Sequence, residues 1–159
     1  YQEYTEEGTM QTTYTYALQD LYVGDMPQTS LALGATVTPM AGLSVQALLN
    51  YYDKNYSDWS PDDREVDADG TADREQVWMA PSYSKVDLHV NYDLPVNLGG
   101  TKIKAFAHVF NAFDAVYVQD AVDNSQYNAF NDDGDHDATS AEVFLGTPRY
   151  VNVGLNINF

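Results

Sequence analysis

Five segments of the chain alternate apolar with polar side chains. The clearest covers residues 84–94, SKVDLHVNYDL, and the others cover residues 30–38, 43–52, 102–110 and 151–159. A β-strand points successive side chains to opposite faces, so each segment predicts a strand with one apolar and one polar face. No segment has the 3.6-residue periodicity of an amphipathic helix. The pattern therefore predicts an all-β protein with antiparallel strands.

The connections between these strands are alternately short and long. The turns at 39–42 and 95–101 are short, whereas the polar segments 54–82 and 114–147 are long. Structureless loops of that length are uncommon in compact soluble domains. Short turns at one end and long loops at the other are typical of outer-membrane β-barrels. Aromatic residues that would suit an interfacial girdle lie where strands meet the long segments: Tyr51, Tyr52, Tyr56, Trp59, Trp78, Tyr83, Phe113 and Tyr117.

The apolar strand faces have two possible environments. In a soluble β-sandwich they would meet a protein core, and in an outer-membrane barrel they would meet lipid. The membrane interpretation also predicts that the polar faces line a hydrated interior. The side chains predicted to face lipid are Val86, Leu88, Val90, Tyr92, Leu94, Val151, Val153, Leu155 and Ile157.

The charge of the chain is strongly negative, at −17. Most of the acidic residues lie in two segments, 53–75 and 114–142, which coincide with the long connections. A nucleic-acid partner is therefore not expected, because phosphate binding needs a basic surface. Cysteine is absent, which excludes disulfides and thiolate metal sites. The first residues have neither the basic start nor the apolar run of a signal peptide, so an export signal would lie outside this chain.

No catalytic motif is present in the sequence. There is no nucleophile elbow, no phosphate-binding glycine loop and no HExxH motif, and the three histidines are widely spaced. Asp87 and His89 lie two apart on one strand face and could form an acid–base pair, although solvated side chains in a barrel interior explain them as well. The sequence predicts that the protein is not an enzyme.

One acidic stretch, EVDADGTADREQ at 65–76, partly matches the calcium-binding loop of an EF-hand. Asp67, Asp69 and Asp73 fall on ligand positions of that loop, and Gly70 falls where the chain must turn. Gln76 stands where a bidentate Glu is expected, and no flanking helices are evident. A calcium site at these three aspartates is thus one hypothesis, and a solvated acidic surface loop is the alternative. A second acidic run, NDDGDHD at 131–137, has no such register.

The runs PSYSKVDLHVNYDLP, AFAHVFNAFDAVYVQDA and GTPRYVNVGLNINF resemble the C-terminal end of a TonB-dependent outer-membrane receptor. The upstream run GDMPQTSLALGATVTPMAGLSVQALLNYYDKNYSDW is similar to the preceding hairpin of that family, especially in its Bacteroidetes-type members. The resemblance implies a 22-stranded barrel with a plug, in the outer membrane of a Gram-negative bacterium. It also implies energy-coupled import of a scarce ligand such as a siderophore, glycan or peptide. The terminal Phe159 resembles the signal that the barrel-insertion machinery reads.

The chain is too short for such a barrel, so we interpret it as a C-terminal part of one. Residues 26–159 would supply the last five strands, and residues 1–25 an extracellular hairpin that turns near TEEGTM. The C-terminus would be periplasmic and the acidic loops extracellular. The expected partners are the rest of the barrel and plug, outer-membrane lipid, the insertion machinery and, through the absent plug, the TonB system.

Two other interpretations remain open. A complete eight-stranded outer-membrane barrel with a structural or adhesive role would have about this length. A soluble β-sandwich that binds calcium or another ligand would also be all-β. The five strands counted here disfavour the first alternative, and the predicted aromatic girdles disfavour the second.

Overall fold

A computed structural model describes residues 2–4, 10–96, 99–127 and 134–159. Its regular structure is almost entirely β, with one short 3₁₀ helix at Pro61–Arg64. The strands are β1 (Gln2–Tyr4), β2 (Met10–Thr13), β3 (Thr29–Met40), β4 (Leu43–Asp53), β5 (Asn55–Tyr56), β6 (Met79–Ala80), β7 (Tyr83–Asp93), β8 (Lys102–Phe110), β9 (Val118–Asp123), β10 (Ala141–Leu145) and β11 (Tyr150–Asn158). The all-β prediction is confirmed. No helix in the described part of the chain is long and apolar enough to cross a membrane.

The chain divides into two compact units. The sheet unit comprises residues 27–54, 81–119 and 145–159. The loop unit comprises residues 1–26, 55–80 and 120–144. The sequence placed all of 26–159 in one barrel segment, whereas the structure groups much of the two long connections with the N-terminal residues.

The sheet unit is built on one five-stranded antiparallel sheet in the order β11-β8-β7-β4-β3. Its strands follow one another along the chain as an up-and-down meander. The five strands predicted by alternation are all present, with ends that differ by at most two residues. Strands β3 and β11 are the two edges, and the described strands do not close into a barrel.

The strand register places the apolar positions of all five strands on one face. One row of paired residues runs Val37, Val45, Val90, Ala107 and Val153. Paired residues on neighbouring strands point to the same side of a sheet, so each row extends the same surface. The next row, equally apolar, consists of Ala35, Ala47, Leu88, Val109 and Val151.

The last residues of two predicted strands, Leu94 and Phe159, lie just outside the strands of the structure. Leu94 follows β7, although its backbone N–H still donates to the Ile103 carbonyl at 2.9 Å. Phe159 follows β11 and is fully exposed.

The loop unit is ordered by short strand pairs and long-range backbone hydrogen bonds. Strand β1 pairs with β2 and β5 with β6, both antiparallel. The predicted turn of the N-terminal hairpin falls largely on residues 5–9, which lie outside the described residues. Backbone N–H groups of Ala17 and Val66 donate to the carbonyls of Arg64 and Thr15 at 2.8 and 2.7 Å. The described parts of the long connections are thus ordered, because their backbone groups find partners far along the chain.

Candidate functional site

The apolar face of the sheet is exposed over several strands. Leu33 is 57% exposed on β3, and Val153 and Leu155 are 69% and 63% exposed on β11. Soluble monomers rarely expose contiguous apolar patches larger than a few hundred Å². The five strands are 9 to 12 residues long, close to the roughly 9–11 residues of a transmembrane β-strand. This face therefore has the composition and the strand length of a surface that contacts lipid.

Aromatic rings stack at the end of the sheet from which the long connections leave. The ring of Tyr83, at the start of β7, lies 5.0 Å from that of Tyr52 and 4.2 Å from that of Tyr117. The ring of Phe110, at the end of β8, stacks on Tyr150 at 4.6 Å. The structure thus brings together several of the aromatic residues expected at an interface.

The opposite face of the sheet is polar and holds two of the three histidines. His89 and His108 are paired across β7 and β8, and their Nδ1 atoms are 2.9 Å apart. Phe106 lies opposite Gly154, where its ring covers the space that a larger side chain would fill. The face therefore combines hydrogen-bonding groups with aromatic rings.

The hypothetical acid–base pair of Asp87 and His89 does not form. Asp87 is buried, accepts a hydrogen bond from the backbone N–H of Asn111 at 2.9 Å and has Lys85 at 3.9 Å. The side chain of Asn111 in turn donates to the carbonyls of Ala115 and Thr147. Asp87 thus anchors the chain where it leaves β8, while His89 turns to His108.

The loop unit contains a buried ionic cluster of Arg64, Asp73, Asp123 and His136. Arg64 is completely buried, with its NH1 atom 3.0 Å from Asp73 and its NH2 atom 3.9 Å from Asp123. The two ring nitrogens of His136 lie 2.5 and 2.6 Å from carboxylate oxygens of Asp73 and Asp123. The carboxylates of Asp73 and Asp123 thus surround the guanidinium of Arg64 and the ring of His136, and pairing of this kind is how buried charges are tolerated.

Asp73 is the partly exposed member of this cluster. Burial alone would raise the pKa of Asp73, but hydrogen bonds from His136 and the Glu75 backbone, with the charge of Arg64, lower it below the usual value. The ionised form of Asp73 is therefore the one that the cluster stabilises. Because Arg64 and Asp73 lie in one long connection and Asp123 and His136 lie in the other, the cluster ties these segments of the loop unit together.

The three aspartates of the calcium hypothesis do not converge. The hydroxyl of Thr71 donates to Asp67 at 3.1 Å and to Asp69 at 2.7 Å, so these two carboxylates are close together. Asp73 instead belongs to the ionic cluster. Among the described residues, no group of three or more His, Asp or Glu side chains is arranged to hold a metal ion. Asp73, the third ligand expected from the sequence match, is therefore not directed to a site shared with Asp67 and Asp69.

The second acidic run, 131–137, falls partly on residues outside those described. Of its described residues, His136 belongs to the ionic cluster, and Asp137 accepts hydrogen bonds from the backbone and hydroxyl of Thr139 at 2.7 Å. Sequence reasoning noticed these histidines and acids but did not connect them with Arg64. The sequence feature that could have indicated the ionic cluster is Arg64 itself, the single basic residue among six acidic residues at 58–69.

The two units differ sharply in charge. The loop unit carries 20 of the 24 acidic residues but only Arg64 and Arg74 as bases. The sheet unit carries four acidic and five basic residues. The whole net negative charge of the protein thus belongs to the loop unit.

No protein-family model matches the chain, and no curated protein or solved structure matches it either.

Proposed function

We propose that the chain is the C-terminal wall segment of a TonB-dependent outer-membrane receptor. In this proposal its five long strands are the last strands of a larger barrel of 22, which imports a scarce ligand by energy-coupled transport. The observation that carries the proposal is the apolar face that continues without interruption across β3, β4, β7, β8 and β11. A lipid bilayer is the environment that such a half-exposed, five-stranded face requires.

The ends of the sheet support the same proposal. The short connection between β3 and β4 and the one between β7 and β8 lie at one end, where periplasmic turns are expected. The long acidic connections leave from the other end, together with the stacked rings of Tyr52, Tyr83 and Tyr117. The acidic connections would then be extracellular and the C-terminus periplasmic.

The open edges of the sheet determine the partners in this proposal. Among the described strands, β3 and β11 lie at the two edges of the sheet, and each unpaired backbone group in hydrocarbon costs several kcal/mol. The remaining strands and the plug of the receptor would therefore pair with these edges and fill the interior. Phe159 would serve as the signal for the insertion machinery, and the plug would connect the barrel to the TonB system.

Site-directed spin labelling tests the membrane assignment directly. The chain has no cysteine, so Val90→Cys and Asn91→Cys give two single-label variants on adjacent residues of β7. When the native polypeptide that contains this chain is labelled and placed in lipid vesicles, we expect the label at 90 to collide mainly with oxygen, which dissolves in lipid, and the label at 91 mainly with a water-soluble nickel complex. Equal access of the nickel complex to both labels would refute a lipid-facing sheet.

The mass of the native polypeptide tests the assignment to a larger barrel. We expect a membrane protein of several hundred residues whose C-terminal part is this sequence. As a second arm, residues 1–159 expressed alone should give no protease-resistant, heat-modifiable monomer in detergent. A folded monomer of 17.7 kDa would instead favour the complete eight-stranded barrel.

A further inference from the structure

We propose that His89 and His108 form a two-imidazole binding site for a divalent first-row transition metal of the Cu²⁺ or Ni²⁺ type. The site lies on the polar face of the sheet and goes beyond the proposed transport function. The two residues are directly opposite each other on β7 and β8, and both are partly buried. Strand pairing, rather than a flexible loop, thus fixes the positions of both ligands.

The distance between the two nitrogens matches one metal geometry. Imidazole nitrogens bind these metals at about 2.0–2.1 Å. Two nitrogens 2.9 Å apart then subtend an angle of about 90° at the metal. That is the angle between neighbouring ligands in square-planar and octahedral complexes, which Cu²⁺ and Ni²⁺ favour. The rings are inclined at 64° with centroids 4.9 Å apart, so they approach edge to face.

The neighbours of the pair can complete and shield the site. In the same cross-strand row, Gln46 lies opposite His89 and Asn152 lies opposite His108. Amide oxygens and water are suitable additional ligands for such an ion. The ring of Phe106 stacks on His108 at 5.2 Å, and the ring of Phe110 meets His89 at 5.5 Å. These rings limit access of solvent to the pair from two sides.

The surrounding charges do not oppose a cation. The lysines nearest in sequence to the two histidines on this face are already paired, Lys85 with Asp87 at 3.9 Å and Lys104 with Asp93 at 3.5 Å. Within the described residues, the cross-strand row of the two histidines contains no Asp, Glu, Lys or Arg side chain.

A shared proton is the simplest other occupant of this pair. Two neutral imidazoles can share one N–H between their Nδ1 atoms. For both Nδ1 atoms to bind a metal ion, that proton moves to Nε2 of the same ring, so both rings bind as neutral imidazoles and no proton is released. The occupants can be distinguished by spectroscopy, because only a metal bonded to both rings shows coupling to two nitrogens.

The test is a Cu²⁺ titration of the native polypeptide that contains this chain, purified in detergent micelles and followed by electron paramagnetic resonance. The wild-type protein should bind one tight Cu²⁺ whose spectrum shows two imidazole nitrogens. His89→Gln and His108→Gln should each weaken binding by at least the roughly 10- to 100-fold typical of losing a metal's supporting residue, with loss of one nitrogen coupling. Asn91→Ala, on the same face but in another row, should bind as wild type does.

Circular dichroism on every variant checks that strand content is retained. The electron paramagnetic resonance spectrum of the wild-type protein tests the proposal without any variant. A wild-type spectrum without two-nitrogen coupling would overturn the proposal and leave a hydrogen-bonded pair. Equal Cu²⁺ binding by the double His→Gln variant would overturn it as well, because the copper would then be held elsewhere. Neither result depends on how the sheet face responds to lipid in the spin-label experiment.

Discussion

A charge placed on the apolar face should destabilise the protein far more in a bilayer than in water. Val153 is suited to this test because it lies beside the middle residue of the nine-residue β11 and is 69% exposed. In water, an Arg at so exposed a position changes stability by only about 0.5 kcal/mol or less. In a bilayer, an Arg on the lipid face near the midplane costs about 2–4 kcal/mol. The cost in the bilayer corresponds to roughly 30- to 700-fold in the folding equilibrium.

Asn152→Arg is the matched control for this change. Residue 152 is the neighbour of Val153 on the same strand, is also exposed and points to the polar face. We would measure both variants by guanidinium titration of the native polypeptide that contains this chain, in phospholipid vesicles. Val153→Arg should lower the free energy of unfolding by about 2–4 kcal/mol, and Asn152→Arg by a small fraction of that. Similar losses for the two variants, or no loss for Val153→Arg, would refute a lipid-facing surface.

Three further predictions concern the loop unit and the packing of the sheet unit. The ionic cluster should stabilise the loop unit above the ordinary Asp pKa of 3.8 and lose this contribution as the pH falls through the lower pKa of Asp73. Asp73→Asn should remove that pH dependence, as followed by tryptophan fluorescence. A Cβ at Gly146 would overlap the ring of Tyr117, so Gly146→Ala should cost about 1–3 kcal/mol. Adding Tyr117→Ala should recover part of this loss in denaturant titrations, and strict additivity would contradict the overlap. Calorimetry at millimolar Ca²⁺ should show no saturable heat from the loop at 65–76, and a saturable heat abolished by Asp69→Asn would show that the loop closes on the ion.

The sheet was predictable from the sequence because its signal is local. Alternation in 84–94 fixes which side chains share a face, and each of the five segments repeats that information independently. The register between strands cannot be read from one strand alone. The sequence placed His89 and His108 only on the more polar face of their strands. Their pairing depends on the turn that joins β7 to β8.

The loop unit was not predictable because its contacts join distant segments. Arg64 and His136 are 72 residues apart, and no periodic pattern marks either of them. The calcium hypothesis failed for the same reason, because a local sequence match does not reveal contacts with distant residues. Asp73 fits the local spacing of a metal loop, yet its carboxylate is held by Arg64 and His136.

The unequal division of charge makes the two units respond differently to ionic strength. With 20 acidic residues against two bases, the loop unit repels itself, and such repulsion works against a compact state. The range of that repulsion shrinks from about 30 Å in 0.01 M salt to about 8 Å in 0.15 M salt. Lowering the salt concentration should therefore loosen the loop unit and leave the nearly neutral sheet unit intact. The salinity of the surroundings would then regulate one half of the protein and not the other.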